Sequence, residues 1–212
     1  MESVNTNSNT DLSAGLNSSV KEYNGQTFSG LNHSREEFAG KEFDRCTFDS
    51  CDFSDTSFKQ CKFADCTFIK CNLSVLKVNN SKFTDTTFED CKMLGIDWTR
   101  AYWRGLALST PLAFKRCQLN SSSFYGLSLV RITMEECRAH DVDFREANFS
   151  NVDFSYTDLS NSLFSNTNLT GANFNEASNY DININKNTVK NAKFCRFEAV
   201  RLLEVIGIRL ID

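Results

Sequence analysis

Large apolar residues recur at every fifth position along much of the chain. Residues 46–74, for example, read CTFDSCDFSDTSFKQCKFADCTFIKCNLS. A spacing of five does not suit a single strand, because an odd spacing sends successive side chains to opposite faces. It does not suit an α-helix either, because five residues turn a helix by about 500°. The chain must therefore turn once in every repeat.

A small residue lies two positions before each large one, so the pair shares one side of a short extended segment. The remaining three positions are mostly polar. If each repeat forms one straight side and one corner, four repeats close a coil of about 20 residues, and coils stack at about 4.8 Å. The pattern predicts an all-β fold, a right-handed quadrilateral β-helix. Its predicted core column includes Phe48, Phe53, Phe58, Phe63, Phe68, Phe144, Phe149, Phe154, Phe164 and Phe174.

The repeat runs in two registers. The first solenoid segment spans 43–108, and the second, 114–180, is displaced by one residue. A one-residue insertion at 109–113 accounts for the displacement. This stretch holds Pro111, which has no N–H and is tolerated outside a continuous ladder. Together the two segments predict about seven coils.

The two ends depart from the repeat. Residues 1–20 are polar and predict a disordered arm, and 21–42 predict an imperfect capping coil. The pattern fades after Ala177, so 181–212 is predicted as a helix and strand cap that also mediates dimerisation. Within it, residues 197–206 change to helical spacing. The apolar stripe of this predicted helix is Ala199, Leu202, Leu203 and Ile206.

Gly207 follows the predicted helix and suits its C-cap. A short helix is marginal in water and must pack on something. The stripe can cap the last coil, pair with a copy of itself, or do both. We favour a two-fold homodimer, because isologous contacts are the commonest form of assembly and would bring the acidic segments of two chains side by side.

The aromatic and cysteine contents fit a dry internal column. The chain has 19 Phe against 5 Tyr and 2 Trp, and a ring without a polar tip can stack in such a column. Eight of the nine cysteines occupy the small inward position, and none forms a C-x-x-C pair. A metal or disulfide ladder is one interpretation. Buried free thiols that act as small apolar residues are the interpretation we favour. The eight are Cys46, Cys51, Cys61, Cys66, Cys71, Cys91, Cys117 and Cys137.

The sequence does not favour an enzyme. Its two histidines, His33 and His140, lie far apart in the chain and fit solvated side chains better than a catalytic base. There is no nucleophile elbow, glycine-rich phosphate loop or metal-spaced cluster, so we expect no cofactor and no metal. The N-terminal stretch has neither a basic segment nor an apolar run, which leads us to expect a cytoplasmic protein.

The repeats VDFSY, TDLSN, TNLTG and ANFNE closely resemble the consensus of the pentapeptide-repeat family, and the match covers roughly residues 38–177. Within that family the layout looks like the quinolone-resistance (Qnr-type) proteins and the immunity proteins against gyrase-poisoning toxins. The shared features are the length, LGIDW in mid-chain, and the C-terminal EAVRLLEVIGIRLID. The resemblance implies a cytoplasmic homodimer that binds DNA gyrase or topoisomerase IV as a mimic of duplex DNA. It implies protection from quinolones or peptide toxins, and no direct contact with nucleic acid or membrane.

One feature departs from the Qnr-type proteins. Several of them carry long loops that contact the topoisomerase and support drug protection, whereas the interruption predicted here is one residue long. Protection from quinolones is therefore supported less well than topoisomerase binding itself.

The charge of the whole chain is too low for DNA mimicry along its full length. A net charge of −4 over about 33 Å is far below the duplex value of one charge per about 1.7 Å. Residues 141–181, however, carry seven acids against Arg145 alone, a net charge of −6. Over about 10 Å this gives about 0.6 charge per Å, comparable to DNA. Any mimicry is therefore local.

Every fourth repeat lies on the same side of the coil, so the sequence predicts on which side the acidic residues lie. Glu135, Glu136, Asp153 and Glu176 are predicted to share one side, and the wider acidic surface adds Asp141, Asp143, Glu146 and Asp158. We predict that these residues bind the Lys- and Arg-lined surface of a topoisomerase. The alternative is that they only solubilise the solenoid and satisfy a turn preference. The chain would then be a non-enzymatic scaffold with a pentapeptide-repeat shaft.

Overall fold

The computed structural model describes residues 16, 19–103, 112–209 and 211. They form a parallel β-solenoid of about eight turns followed by one short α-helix, which confirms the predicted right-handed quadrilateral β-helix. The strands are β1 (Glu22–Asn24), β2 (Thr27–Ser29), β3 (Glu37–Ala39), β4 (Glu42–Asp44), β5 (Thr47–Asp49), β6 (Ser57–Lys59), β7 (Lys62–Ala64), β8 (Thr67–Ile69), β9 (Lys82–Thr84), β10 (Thr86–Glu89), β11 (Leu112–Lys115), β12 (Thr133–Glu135), β13 (Asn173–Phe174) and β14 (Lys193–Phe194).

Each coil has four sides, which we number along the chain from Tyr23. The first side contains β1, β4, β7 and β9, and the second contains β2, β5, β8, β10, β11 and β12. Strands β3 and β6 lie on the fourth side. The third side is joined by single bridges, such as Asp52 to Asn72. Equivalent residues of successive coils pair in parallel, as Phe48 does with Phe68.

The corners explain why the repeat has five residues. At most corners the residue two positions after the inward one adopts a left-handed backbone, with a φ of 56° at Asp55 and 53° at Glu136. This conformation costs a non-glycine residue about 1–2 kcal/mol, and short polar residues tolerate it best. It turns the chain onto the next side, which is the turn that the five-residue spacing requires.

The core is a column of stacked rings. The rings of Phe48 and Phe68 are nearly parallel, with centroids 4.5 Å apart, and those of Phe144 and Phe164 are 5.1 Å apart. Every ring of the predicted column is buried, and the most exposed, Phe164, is 7% exposed. Such offset stacks add to the stabilisation that comes from burial of apolar area.

The small inward residues hydrogen-bond the backbone at the corners. The thiol of Cys91 donates to the carbonyl of Phe68 and accepts from the N–H of Cys71, both at 3.4 Å. Ser81 makes the same two contacts, with the carbonyl of Phe58 and the N–H of Cys61, both at 2.9 Å. All nine cysteines are free, and the eight at inward positions are buried. A thiol or hydroxyl therefore satisfies backbone groups that the corner removes from water.

The register break is longer than predicted. Phe68 pairs with Phe88 across an ordinary coil, but Phe88 pairs with Phe114, so the coil between them holds six residues more. The prediction of a one-residue insertion is wrong, although the five-residue phase does shift by one. Residues 109–111 of the predicted break lie outside the described residues, as does Leu108, the last predicted inward position of the first segment. Leu112 and Ala113, the rest of the predicted break, belong to β11.

The N-terminal end of the solenoid is partly covered. Most of the predicted disordered arm lies outside the described residues, but Leu16 is buried against the first coil, and its N–H donates to Nε2 of His33 at 3.2 Å. Lys41 takes a small inward position, and its Nζ donates to the carbonyl of Val20 at 2.6 Å. Burial lowers the pKa of Lys41.

The solenoid extends further toward the C-terminus than predicted. Asn168 bridges to Thr188, and Phe174 pairs with Phe194, their rings 4.8 Å apart. Residues 181–194 therefore complete another coil and are not a separate cap. Tyr180 and Ile182, both buried, break the five-residue spacing that Ile184, Val189 and Phe194 resume, and this break concealed the coil in the sequence.

The C-terminal helix α1 spans Val200–Val205 and is shorter than the predicted 197–206. Gly207 has a φ of 86° and follows the helix, as expected. Leu202 packs against the core, whereas Leu203 is exposed. Ala199 and Ile206 are half-buried. The predicted stripe is thus divided between the solenoid and the surface.

Candidate partner-binding surface

Four predicted acidic residues do lie together. The second side continues from Thr133 through Asp153 to Asn173 by parallel bridges. Glu135 and Asp153 lie on this side, while Glu136 and Glu176 occupy its corner with the third side, each at a φ of 53°. We call Glu135, Glu136, Asp153 and Glu176 the acidic column. It spans three successive coils, which is about 10 Å between its first and last levels.

The acidic column carries unneutralised charge. Glu136 and Glu176 are exposed, and Glu135 and Asp153 are half-buried. Oδ1 of Asp153 accepts hydrogen bonds from the backbone N–H of Ser155 at 3.0 Å and from Nδ2 of Asn173 at 2.9 Å. Among the residues that the structure describes, none of the four carboxylates has an ion-pair partner. The column can therefore pair with cations from outside.

Arg116, one coil before Glu136 on the same corner, does not offset the column. Its guanidinium binds Asp90 at 2.9 Å and also binds Glu89. These contacts raise the pKa of Arg116. Because two acids already share this one cation, its positive charge is balanced within its own part of the solenoid.

The other four predicted acids lie on different sides. Asp143 is on the fourth side, where it pairs with Arg145 at 2.8 Å, and this contact lowers the pKa of Asp143 although burial opposes it. Asp141 and Glu146 occupy the corners before and after it. Asp158 is on the third side. The wider acidic surface of eight residues therefore does not form a single face.

Asp158 is held by a local network. Nε2 of His140 lies 2.7 Å from its Oδ2, and the side chain of His140 is 18% exposed, so the expectation of a solvated histidine is wrong. Burial acts to raise the pKa of Asp158, but hydrogen bonds from Ser160, Asn179 and His140 outweigh it and lower the pKa. This carboxylate is already engaged within the chain.

Tyr156 is part of the surface and was missed in the sequence. It lies at the corner between Glu136 and Glu176, with a φ of 57° and 57% exposure. A bulky residue is rare in this conformation. Its position two residues after Phe154 was the available signal, because that is where each corner falls. An exposed ring between two carboxylates can pack against an aliphatic stem or a cationic head.

The described residues offer no cluster of metal ligands: no group of three or more His, Cys, Asp or Glu among them could hold a metal ion. None of their helices has the length and apolar character needed to cross a membrane.

Comparisons with known proteins support the fold. A family model described as a pentapeptide repeat region matches residues 41–112 and 110–194. A trypsin-treated variant of QnrB1, a plasmid-mediated fluoroquinolone resistance protein, shares the fold at 21% identity, with 91% of this chain and 92% of that chain covered and a TM-score of 0.64. Full-length QnrB1 matches at 22% identity, over 88% of this chain and 100% of that chain, with a TM-score of 0.56. No curated protein sequence matches significantly.

Proposed function

The chain belongs to the pentapeptide-repeat family, and we propose that it binds DNA gyrase or topoisomerase IV through the acidic column. We further propose that binding protects the topoisomerase from quinolones or from gyrase-poisoning peptide toxins. The likeness of its fold to QnrB1, a fluoroquinolone resistance protein, supports the drug class. The protein would act where topoisomerases act, in the cytoplasm.

One observation carries this proposal: four carboxylates without an ion pair lie next to one another on three successive coils. The four carboxylates of the acidic column lack ion pairs among the described residues, whereas Asp143 and Asp158 are engaged by Arg145 and His140. Four charges over about 10 Å give about 0.4 per Å, against about 0.6 for duplex DNA. A surface lined with Lys and Arg to grip a duplex can therefore engage the column.

The register break supports protection as well as binding. Its six additional residues provide the chain length for a loop of the kind that the Qnr-type resemblance associates with drug protection. The objection that the chain has only a one-residue interruption therefore no longer holds.

A supercoiling assay with purified gyrase tests the proposal. The unmodified protein should restore supercoiling in the presence of ciprofloxacin, and its binding should weaken as salt rises, because exposed charges are screened within about 8 Å at physiological ionic strength. A variant with Glu135→Gln, Glu136→Gln, Asp153→Asn and Glu176→Gln should lose binding and keep its circular dichroism spectrum. The matched control, Glu22→Gln, Glu37→Gln, Asp65→Asn and Asp85→Asn, removes the same charge from earlier coils and should bind normally.

A passive scaffold is the second candidate. The observation that favours it is that Asp141 and Glu146 are also exposed, on other corners, so some acidity serves solubility alone. A scaffold predicts that the column variant and its control behave alike in the gyrase assay. It also predicts binding that does not depend on salt.

We also propose a homodimer formed through the C-terminal segment. Large apolar side chains are exposed there, and a cluster of this kind marks an interaction surface. Phe197 is 84% exposed, Val200 39%, Leu203 36%, Ile208 45% and Ile211 94%. A second copy of the chain would cover them by a two-fold contact.

A further inference from the structure

The last coil of the solenoid carries a band of free cations. Lys186, Lys190, Lys193 and Arg196 are all exposed, and we call them the basic band. In the described part of the chain none of the four forms an ion pair, whereas the neighbouring Arg201 binds Asp181 at 3.2 Å. Residues 182–209 hold six cations against two acids, so this end has a net charge of +4.

The basic band directly adjoins the acidic column. Lys193 pairs with Asn173 and so extends the row of Thr133 and Asp153 by one more coil. Arg196 lies one coil beyond Glu176, because Phe174 pairs with Phe194. The change of sign thus occurs within about 5–10 Å, which is comparable to the screening length of about 8 Å. A partner that covers the acidic column also faces the basic band.

This arrangement is not that of a duplex. DNA carries one negative charge per about 1.7 Å without a change of sign. A faithful mimic would continue acidic through the last coil, but this chain reverses there. A C-terminal dimer would therefore not join two acidic segments into one longer acidic strip, as the sequence suggested, because two basic bands would lie between them.

We propose that the basic band binds a cluster of carboxylates on the same partner protein whose cations bind the acidic column. The inference rests on the proposed function and specifies the partner surface: basic opposite the column and acidic opposite the band. Enzymes that act on phosphodiesters through metal ions hold carboxylate ligands beside their basic groove, so a DNA-processing enzyme can supply both.

Two other occupants fit less well. A DNA duplex bound to the basic band would bring its phosphates within about one screening length of Glu176 and Asp153. Because the duplex is negatively charged along its whole length, these carboxylates would repel it. A second copy placed band against band would oppose four cations to four cations. A protein surface can confine its acids to one patch, which is what the band requires.

The test is charge reversal of the band in the full-length protein: Lys186→Glu, Lys190→Glu, Lys193→Glu and Arg196→Glu together. A uniform DNA mimic should bind gyrase more tightly after this change, because it becomes more acidic. The proposal instead requires binding weakened by about tenfold or more at physiological salt, since like charges are then juxtaposed across the interface. Substitution of the same four residues by Gln should give a smaller loss.

A matched control reverses four lysines elsewhere: Lys59→Glu, Lys70→Glu, Lys82→Glu and Lys92→Glu. These lie two or more coils from the acidic column and have no ion pair among the described residues. The control changes the net charge equally and should not weaken binding. Circular dichroism shows whether each variant is folded.

Each result decides between the alternatives. Unchanged or tighter gyrase binding in a folded band variant overturns the inference while the proposed function stands. Binding of duplex DNA alone by the unmodified protein, lost in the band variant, overturns it in favour of nucleic acid. Self-association that the band variant loses overturns it in favour of a second copy. If the unmodified protein binds neither gyrase nor topoisomerase IV, the proposed function itself fails and the inference fails with it.

Discussion

Phe88 stacks on Phe114 across a coil that is six residues longer than the coil before it. Their rings are nearly parallel with centroids 5.3 Å apart, close to the 5.0 Å between Phe68 and Phe88, which an ordinary coil joins. The additional residues fall between Trp103 on the first side and Leu112 at the start of β11. The preceding coil has only Thr84 and Asp85 between the equivalent positions, Phe83 and Thr86, whereas the sequence of the longer coil has eight residues there, 104–111. The core column continues past them.

Replacing residues 104–111 by Thr-Asp should therefore leave the fold intact. Shortening the connection between two sides changes loop-closure entropy little, so we expect the free energy of unfolding to change by no more than about 1 kcal/mol. Protection of gyrase from ciprofloxacin should fall, because the variant no longer has the six additional residues that we associate with drug protection. Urea denaturation and the supercoiling assay measure the two effects.

Loss of cooperative unfolding in this variant would show that the segment stabilises the solenoid. Full drug protection would show that the acidic column acts without it. As a control, a sequence of other polar residues of equal length in place of 104–111 should keep the stability and also lose the protection.

The five-residue period made the fold predictable, because only a chain that turns once per repeat can bury Phe48, Phe53 and their successors together. The extra residues were not predictable, since Trp103 and Leu108 continue the period and so resemble two further sides. Similarly, Tyr180 departs from the spacing, although Phe194 keeps it, four repeats after Phe174. The periodicity indicates which residues can point inward, but the hydrogen-bonded register between coils decides in which coil each of them lies.

The candidate site was predictable only in part, for the same reason. Glu135 and Asp153 share a side because their repeats are four apart, which the sequence states directly. Whether a carboxylate is free depends on side-chain partners in neighbouring coils, as His140 shows for Asp158. The basic band was missed because its coil was not recognised.

The hydrogen bonds of the inward cysteines lead to a further prediction. Cys91→Ser should keep the free energy of unfolding within about 1 kcal/mol, because Ser81 already fills an equivalent site with the same two hydrogen bonds. Cys91→Ala leaves the buried carbonyl of Phe68 without this donor and should cost about 1–3 kcal/mol. Thermal and urea denaturation of both variants measure the difference.

Thiol labelling provides the control. Hydrogen bonding to Cys117 and burial raise the pKa of Cys91 to about 12, and burial raises the pKa of Cys61. All eight inward cysteines are buried, so at pH 8 only the partly exposed Cys195 should react with a thiol reagent in the folded protein. Rapid labelling of several cysteines before unfolding would contradict this packing.

Tyr156 combines backbone strain with an exposed position in the acidic surface, so its replacement should separate stability from binding. Tyr156→Asn should raise the free energy of unfolding by about 1 kcal/mol, because asparagine tolerates the left-handed conformation better. Gyrase binding should nevertheless weaken, because the ring between Glu136 and Glu176 is lost. Denaturation and affinity measurements on the same preparation test both.

The reciprocal change serves as the control. Asn161 occupies an equivalent corner with a φ of 59°, away from the acidic column. Asn161→Tyr should cost about 1 kcal/mol of stability and leave binding unchanged. If Tyr156→Asn lowers stability, the corner is not strained. If it leaves binding unchanged, the ring does not contact the partner.

Dimerisation through the C-terminal segment should have an unusual salt dependence. Phe197 and Leu203 are exposed, whereas Leu202 packs inward. Phe197→Asp with Leu203→Asp should therefore give a folded monomer, and Val75→Asp, a 53% exposed residue on an earlier corner, should leave the dimer intact.

Arg196 immediately precedes Phe197, so a two-fold contact brings the two basic bands close together. Their repulsion is screened by salt, with a Debye length of about 8 Å at 0.15 M and about 3 Å at 1 M. Dimers should thus tighten as salt rises, while gyrase binding through the acidic column weakens. Light scattering across a salt series measures the salt dependence of the dimer. A dimer that dissociates as salt rises would place the basic bands away from the interface. A monomer at every concentration would leave the exposed C-terminal residues to another partner.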